Sequence, residues 1–183
     1  MPVVDPAAEE AQSRAFLELY DTALPQVFGY LRARSGSEPL AEDLTTETFL
    51  AAVRSYQQRP GQELSTGWVI AVARNKLVDH WRKVATEERH LQLVADRTAD
   101  QQSEEDEWID GFGGTEAHAV LAGLAAQHRL ALTLRYVDDL SVPEVARLLE
   151  RTVQATETLL VRARRAFRQA YVATDQEGGD HAR

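Results

Sequence analysis

The chain has 183 residues, a formal net charge of −9 at pH 7 and 44% hydrophobic residues. This length suits one domain or two small ones, and 10 glycines and 6 prolines are too few for a fibrous or wholly disordered chain. The absence of cysteine excludes a disulfide framework and a thiolate metal site. The sequence shows neither a basic, apolar leader nor about eighteen consecutive apolar residues, so we expect a soluble, cytoplasmic protein without membrane insertion.

Two amphipathic helices are predicted before residue 57. The first has an apolar stripe of Phe16, Tyr20, Leu24, Val27, Phe28 and Leu31. Pro25 is expected to start a second helix within this stretch, and residues 1–13 are expected to fray. The next helix opens at Pro39 and buries Leu40, Leu44, Phe49, Ala52, Val53 and Tyr56. Its other side is acidic, and a polar loop follows over residues 57–66.

A basic helix is predicted from Gly67 to Lys83, with Ser65 or Thr66 as its cap. Its apolar face consists of Val69, Ile70, Ala73, Leu77 and Trp81. Its outer face carries Arg74, Lys76, Arg82 and Lys83 against a single acid, Asp79. Such a face either stays solvated or meets a negatively charged partner.

The charge is unevenly distributed beyond this helix. Residues 96–110 have a local net charge of −6, and the polar stretch 96–114 suits a flexible linker. Within it, Trp108, Ile109 and Phe112 are expected to dock on a neighbouring domain, and the alternative is that they anchor a partner. Residues 147–168 carry six arginines and two glutamates, a local net charge of +4.

Helical periodicity returns from Glu116, with a break expected near residues 126–128. Ser141 and Glu144 form an S-x-x-E capping box at the start of a short helix. A tight turn follows, and Thr152 is expected to cap a longer basic helix. The buried stripe of that helix is Val153, Thr156, Leu160, Ala163, Phe167 and Tyr171. This order predicts a helix-turn-helix, and the tail from Thr174 is expected to be disordered.

The second helix of a helix-turn-helix places its outward residues against DNA bases and phosphates. Subtracting the buried stripe leaves an outward set of Gln154, Ala155, Thr158, Leu159, Arg162 and Arg165. Glutamine can pair with adenine, small apolar groups can contact a thymine methyl, and arginine suits phosphates. Glu157 opposes phosphate binding, so this surface should bind DNA weakly alone. The same geometry also occurs in helical bundles that bind only protein.

Catalytic and metal-binding patterns are absent from the sequence. The five histidines show no paired-ligand spacing, and no glycine-rich phosphate loop follows a strand. We therefore expect a protein that is not an enzyme and needs no cofactor or metal.

Three motifs, in order, resemble those of the extracytoplasmic-function (ECF) sigma factors, a branch of the sigma-70 family. AEDLTTETFLAAV (residues 41–53) is similar to region 2.2 of that family, and GWVIAVARNKLVDHWRK (67–83) to the end of region 2.3 and region 2.4. The stretch from Leu121 to Phe167 is similar to region 4. Thr46 and Ala125 stand where the family usually has glutamine and proline, and Glu157 and Leu159 where it usually has lysine and arginine.

The resemblance implies an all-α fold of two small helical domains, a region 2 bundle and a region 4 helix-turn-helix, joined by a flexible acidic linker. The implied bounds are a flexible N-terminus over 1–13, region 2 over 14–92, the linker over 93–115, region 4 over 116–172 and a disordered tail over 173–183.

The resemblance also implies partners and site residues. Core RNA polymerase would be bound through the clamp helices of its largest subunit and the flap of its second-largest subunit, and an anti-sigma factor is a further possible partner. The implied polymerase-binding residues are Glu42, Asp43, Thr46, Glu47 and Leu50. The implied binding residues for the −10 promoter element are Arg59, Gln62, Trp68, Arg74, Asn75, Lys76, Asp79, Arg82 and Lys83. Those for the −35 element are Arg151, Thr152, Gln154, Ala155, Thr158, Leu159, Arg162 and Arg165.

Together these roles describe a promoter-specificity subunit that helps to melt DNA and acts only with polymerase. Two alternatives remain open. A stand-alone helix-turn-helix regulator would bind duplex DNA tightly without polymerase, but it would leave the acidic and basic helices of the first half without a task. A structural adaptor that no longer binds promoters is motivated by Glu157 and Leu159.

Overall fold

The structure, a computed structural model, describes residues 6–59, 62–92 and 115–179. Across these ranges the regular structure is entirely helical, which confirms the predicted all-α class. The α-helices are α1 (Pro6–Ser35), α2 (Glu38–Gln58), α3 (Thr66–Gln92), α4 (Thr115–Gly123), α5 (Ala126–Leu132), α6 (Val142–Leu148) and α7 (Val153–Gly179). A π-helical turn, Thr133–Val137, follows α5. The chain divides into two compact units, Met1–Leu77 and Val78–Arg183, and the division falls inside α3.

In the first unit, α1 packs against α2 along a stripe that differs from the predicted one. The buried apolar residues of α1 are Leu19, Ala23, Val27 and Leu31. Tyr20 is 36% exposed and packs edge-on against Phe49 at a ring-centroid distance of 4.7 Å. Small Ala23 lies at the centre of the stripe, where it allows close approach of the helices. The larger aromatic ring lies at the rim.

Two further expectations for α1 are corrected. α1 runs through Pro25 without a break, and it begins at Pro6, inside the segment expected to fray. Proline removes one hydrogen bond, to the carbonyl of the residue four positions before it. Because Asp21 and Pro25 are both exposed, that carbonyl lies on the solvent side and water can replace the lost donor.

The starts of α2 and α3 follow local capping rules. The Ser37 hydroxyl accepts from the Leu40 N–H at 3.5 Å, with Pro39 in the first turn. The Ser65 hydroxyl accepts from the Trp68 N–H at 3.2 Å, which confirms Ser65 as the cap of the basic helix.

The second unit contains the end of α3 and helices α4 to α7. Its core includes a cluster formed by Ala117, Val120, Leu121, Leu132, Ala163 and Phe167. The break between α4 and α5 comes at Leu124–Ala125, just before the expected position. The Asp138 N–H donates to the Thr133 carbonyl at 2.9 Å, five residues back, which defines the π-helical turn that the sequence pattern did not predict.

The end of α7 differs from expectation, since the helix continues to Gly179 through a tail that was expected to be disordered. Val153 is 43% exposed and Tyr171 is 36% exposed, so the prediction that both belong to the buried stripe is wrong. The segment 93–114, which contains almost all of the predicted linker together with Trp108, Ile109 and Phe112, lies outside the described residues; Thr115 begins α4.

Candidate polymerase and nucleic-acid interfaces

The acidic face of α2 is an uninterrupted exposed surface. All five residues predicted to bind polymerase are exposed: Glu42, Asp43, Thr46, Glu47 and Leu50. The opposite side of the helix is buried through Ala41, Leu44, Thr45, Thr48, Phe49 and Ala52. The two buried threonine hydroxyls donate to backbone carbonyls four residues back, at 2.6 Å, so burial leaves neither donor unpaired. The buried side therefore fixes the rotation of α2 and directs the acids outward.

Within this acidic face, Thr46 and Leu50 are the two uncharged members. The Thr46 hydroxyl donates to the Glu42 carbonyl at 3.1 Å, so it is engaged by its own helix. Leu50 is 53% exposed, an apolar side chain beside carboxylates. A surface of this kind can bind a partner through charge and a single apolar contact.

The basic helix α3 is oriented by buried Val69, Ala73 and Leu77, which have no exposed surface. Asn75, Asp79 and Lys83 are exposed, whereas Trp68, Arg74, Lys76 and Arg82 are half-buried. The predicted −10 set on α3 is thus a mixed surface in which several side chains keep only part of their area in water.

Before α3, the predicted loop contributes Arg59, which is exposed, and Gln62, which is half-buried. The Gln62 backbone N–H donates to the Arg59 carbonyl at 3.2 Å. The side-chain oxygen of Gln62 is buried and has no hydrogen-bond partner among the described residues. A buried unpaired acceptor is energetically unfavourable, and a donor from a bound base would satisfy it.

The helix-turn-helix of the second unit is built by the predicted local signals. The Glu144 carboxylate accepts from the Ser141 backbone N–H at 2.8 Å, which confirms the capping interaction at the start of α6. Glu150 turns the chain with a φ of 52°, in the left-handed region, and the Arg151 N–H donates to the Ala146 carbonyl at 2.9 Å. The Thr152 hydroxyl accepts from the Ala155 N–H at 3.1 Å and caps α7 as predicted.

Most of the predicted −35 set on and before α7 is exposed. The exposed members are Arg151, Thr152, Gln154, Ala155, Arg162 and Arg165. Thr158 is half-buried, and its hydroxyl donates to the Gln154 carbonyl at 3.0 Å. Leu159 is only 5% exposed, so its predicted outward position is wrong. It follows buried Thr156 by three positions and precedes buried Ala163 by four, which places it on the apolar side of the helix.

Sequence reasoning missed Glu150, whose carboxylate contacts Arg82 of the predicted −10 set. Arg82 Nη1 donates to one carboxylate oxygen at 2.9 Å, and Nη2 contacts the other. The hydrogen bond to Arg82 lowers the pKa of Glu150, and the same bond raises the pKa of Arg82. The two residues are separated by 68 positions, and no local pattern signals their pairing.

The described residues contain no group of three or more His, Asp or Glu side chains arranged to hold a metal ion. None of the described helices is long and apolar enough to cross a membrane.

Comparison with known families identifies both halves of the chain. The family model for sigma-70 region 2 matches residues 19–86, and that for sigma-70 region 4 matches residues 115–167. The chain belongs to the sigma-70 family. Every residue of the predicted polymerase, −10 and −35 sets falls inside one of the two matched ranges.

Relatives place this sigma-70 family member among the ECF sigma factors. It is 32% identical to the ECF RNA polymerase sigma factor BldN of Streptomyces coelicolor, over 87% of this chain but only 61% of that relative. It is 25% identical to SigX of Bacillus subtilis, over 84% of this chain and 81% of that relative. The solved sigma factor RpoE of Bartonella quintana, in complex with the anti-sigma factor NepR, covers 86% of this chain with a TM-score of 0.50 and 18% identity. The match spans 96% of the RpoE chain and supports the fold.

Proposed function

We propose that this protein is an RNA polymerase sigma factor of the ECF type, which binds core polymerase and directs it to promoters through −10 and −35 elements. One observation carries the proposal: three surfaces follow one another along the ranges that match sigma-70 regions 2 and 4. They are the exposed acids of α2, the basic surface of α3 and the exposed start of α7.

The acidic face of α2 is the proposed contact with the clamp helices of the largest polymerase subunit, and the flap of the second-largest subunit is proposed to bind the region 4 half. The side chains of Glu42, Asp43 and Glu47 form no ion pair among the described residues, so their charge is available to a basic partner. Complementary charge raises the association rate and selects the partner.

The basic loop and helix, from Arg59 to Lys83, are the proposed −10 surface. Melting exposes single-stranded bases, and a basic surface with an aromatic side chain favours such a strand. Trp68 offers a half-buried ring, and Gln62 offers an unpaired buried acceptor. A base turned out of the stack needs polar partners of this kind.

The start of α7 is the proposed −35 surface, with Gln154 and Ala155 directed at bases and Arg151, Arg162 and Arg165 at phosphates. Burial of Leu159 removes one of the two features that motivated an adaptor without promoter binding, while Glu157 remains exposed.

The proposal assigns no catalytic step and no cofactor to this chain, and it places the protein in the cytoplasm, where polymerase and promoter DNA meet. An anti-sigma factor is a further proposed partner, since RpoE of Bartonella quintana was crystallised with one.

A charge-reversal experiment tests the polymerase contact. We expect Asp43→Lys combined with Glu47→Lys to weaken binding to core polymerase at least about tenfold, about 1.4 kcal/mol, because four units of charge change on one face. Binding is measured by pull-down and biolayer interferometry, with circular dichroism to verify folding.

The matched control reverses two exposed acids of the same unit on another helix, Glu18→Lys with Asp21→Lys. Equal affinity loss in control and test variants would contradict a specific α2 contact. Tight binding of the unmodified protein to duplex DNA without polymerase, with no promoter-dependent transcription when polymerase is added, would instead support the stand-alone regulator.

A further inference from the structure

The contact between Arg82 and Glu150 joins two parts of the chain to which different promoter elements are assigned. Arg82 belongs to the proposed −10 surface, whereas Glu150 lies in the turn that leads to the proposed −35 helix. The guanidinium meets both carboxylate oxygens, a two-pronged geometry that also suits a phosphate group. Glu150 therefore occupies the same donors that a DNA phosphate would use.

Two neighbouring contacts hold the end of α3 where Arg82 can reach Glu150. The Glu88 carboxylate accepts from the Ala126 backbone N–H at 3.0 Å, at the start of α5. Ala125, at the cap position of α5, supplies no side-chain acceptor, so Glu88 replaces one from outside the helix. The Arg129 guanidinium lies over the Trp81 ring at 4.4 Å from its centroid.

The Arg82 contact remains accessible to solvent and ions. The side chains of Arg82 and Glu150 are 36% and 69% exposed. A cavity of about 150 Å³ lies beside them and is lined in part by Arg82, Arg89 and Arg151. An exposed ion pair of this kind is weak enough to exchange with a competing anion.

We propose that the Arg82–Glu150 contact is an autoinhibitory contact, in which the Glu150 carboxylate competes with the DNA backbone for the Arg82 guanidinium. Free protein keeps Arg82 engaged, and DNA binding releases Glu150. The assignment of Arg82 to DNA rests on the proposed function, whereas the contact itself does not.

The competition predicts that removing the Glu150 charge strengthens DNA binding only when Arg82 is present. The probe is a labelled 20-nucleotide single strand of fixed mixed sequence, with the full chain at low salt and fluorescence anisotropy as readout. We expect Glu150→Gln to raise affinity about twofold to fivefold, the range of an exposed ion pair. In the Arg82→Ala background, the same substitution should raise affinity much less.

A matched control separates competition from general charge. Glu87 is an exposed acid on α3 with no partner among the described residues, and Glu87→Gln removes the same charge. An equal gain from Glu87→Gln, a gain from Glu150→Gln that persists undiminished with Arg82→Ala, or no gain at all would overturn the proposal.

A spectroscopic measurement tests the contact without polymerase or any promoter. The carboxyl carbon of Glu150, followed by NMR against pH, should titrate below the ordinary range in the free protein, because Arg82 lowers its pKa. Other charges near the contact are Asp79, Arg89 and Arg151. Saturating DNA or Arg82→Ala should raise this pKa towards its ordinary value. An ordinary Glu150 pKa in free protein, or one that DNA leaves lowered, would refute the contact or its competition. Failure of polymerase binding would leave both measurements interpretable.

Discussion

The outward faces of α2 and α7 were predicted by different routes, and the prediction agrees with the structure better for α2 than for α7. On α2, acids occupy one side and apolar residues the other, and all five predicted residues are exposed. On α7, the outward set was obtained by subtracting a narrow stripe, and it wrongly included Leu159. Two leucines summarise the difference: Leu50 is 53% exposed and Leu159 is 5% exposed. A contrast between charged and apolar sides locates a helix face better than subtraction does, because a buried stripe is often wider than its central residues.

The largest expected effect compares these two leucines directly. Leu159→Ala should lower the free energy of unfolding by about 2–4 kcal/mol, because truncating a buried leucine loses apolar contacts and leaves a cavity. Leu50→Ala should change it by less than about 0.5 kcal/mol, because its side chain is already in water, and should instead weaken polymerase binding. Urea unfolding followed by circular dichroism measures both. Full stability of the Leu159→Ala variant together with lost duplex binding would return Leu159 to the DNA-reading set.

The parts of the fold that depend on residues close together in the sequence were predictable from it. The caps at Ser65 and Thr152 and the capping box at Ser141 require only a side chain and a backbone group three positions apart. The acidic face of α2 follows from periodicity in the same way. These features need no knowledge of tertiary packing.

The remaining features depend on distant neighbours or on solvent. Pro25 is accommodated because its side of α1 is exposed, which the predicted stripe from Phe16 to Leu31 did not indicate. The π-helical turn after α5 has no periodic pattern of its own. The Arg82–Glu150 contact depends on how α3, α5 and the turn before α7 pack, so residue types alone could not predict it.

The next prediction, of intermediate size, tests whether α7 contacts DNA phosphates, with a variant on α2 as the control. Arg162→Ala should reduce the slope of log affinity against log salt by about one for a 20-base-pair duplex of fixed sequence, because one phosphate contact is lost. Arg54→Ala removes the same charge from an exposed position on α2 and should leave the slope unchanged. Anisotropy titrations at several salt concentrations supply the slopes. A changed base preference at constant slope would assign Arg162 to base reading.

The smallest expected effect concerns His128, a partly buried residue whose pKa is lowered in part by the charge of Arg162. Burial lowers the pKa of His128, the Arg162 charge lowers it further, and Glu88 opposes both. Since the folded state binds the proton less readily than the unfolded state, stability should fall as pH drops through about 6.5 towards the folded pKa. Urea midpoints between pH 7.5 and 5.5 should therefore decrease less in His128→Gln than in the unmodified protein.

His90→Gln, at an exposed position of α3, should keep the full decrease. Arg162→Ala should diminish it, because one cause of the lowered pKa is gone while burial remains. No such inward coupling is expected for the acids of α2, whose exposed face has its buried residues on the opposite side. An unchanged pH dependence in both His128→Gln and Arg162→Ala would contradict the coupling between the Arg162 charge and His128. The exposed charges of α7 would then affect the core no more than those of α2 do.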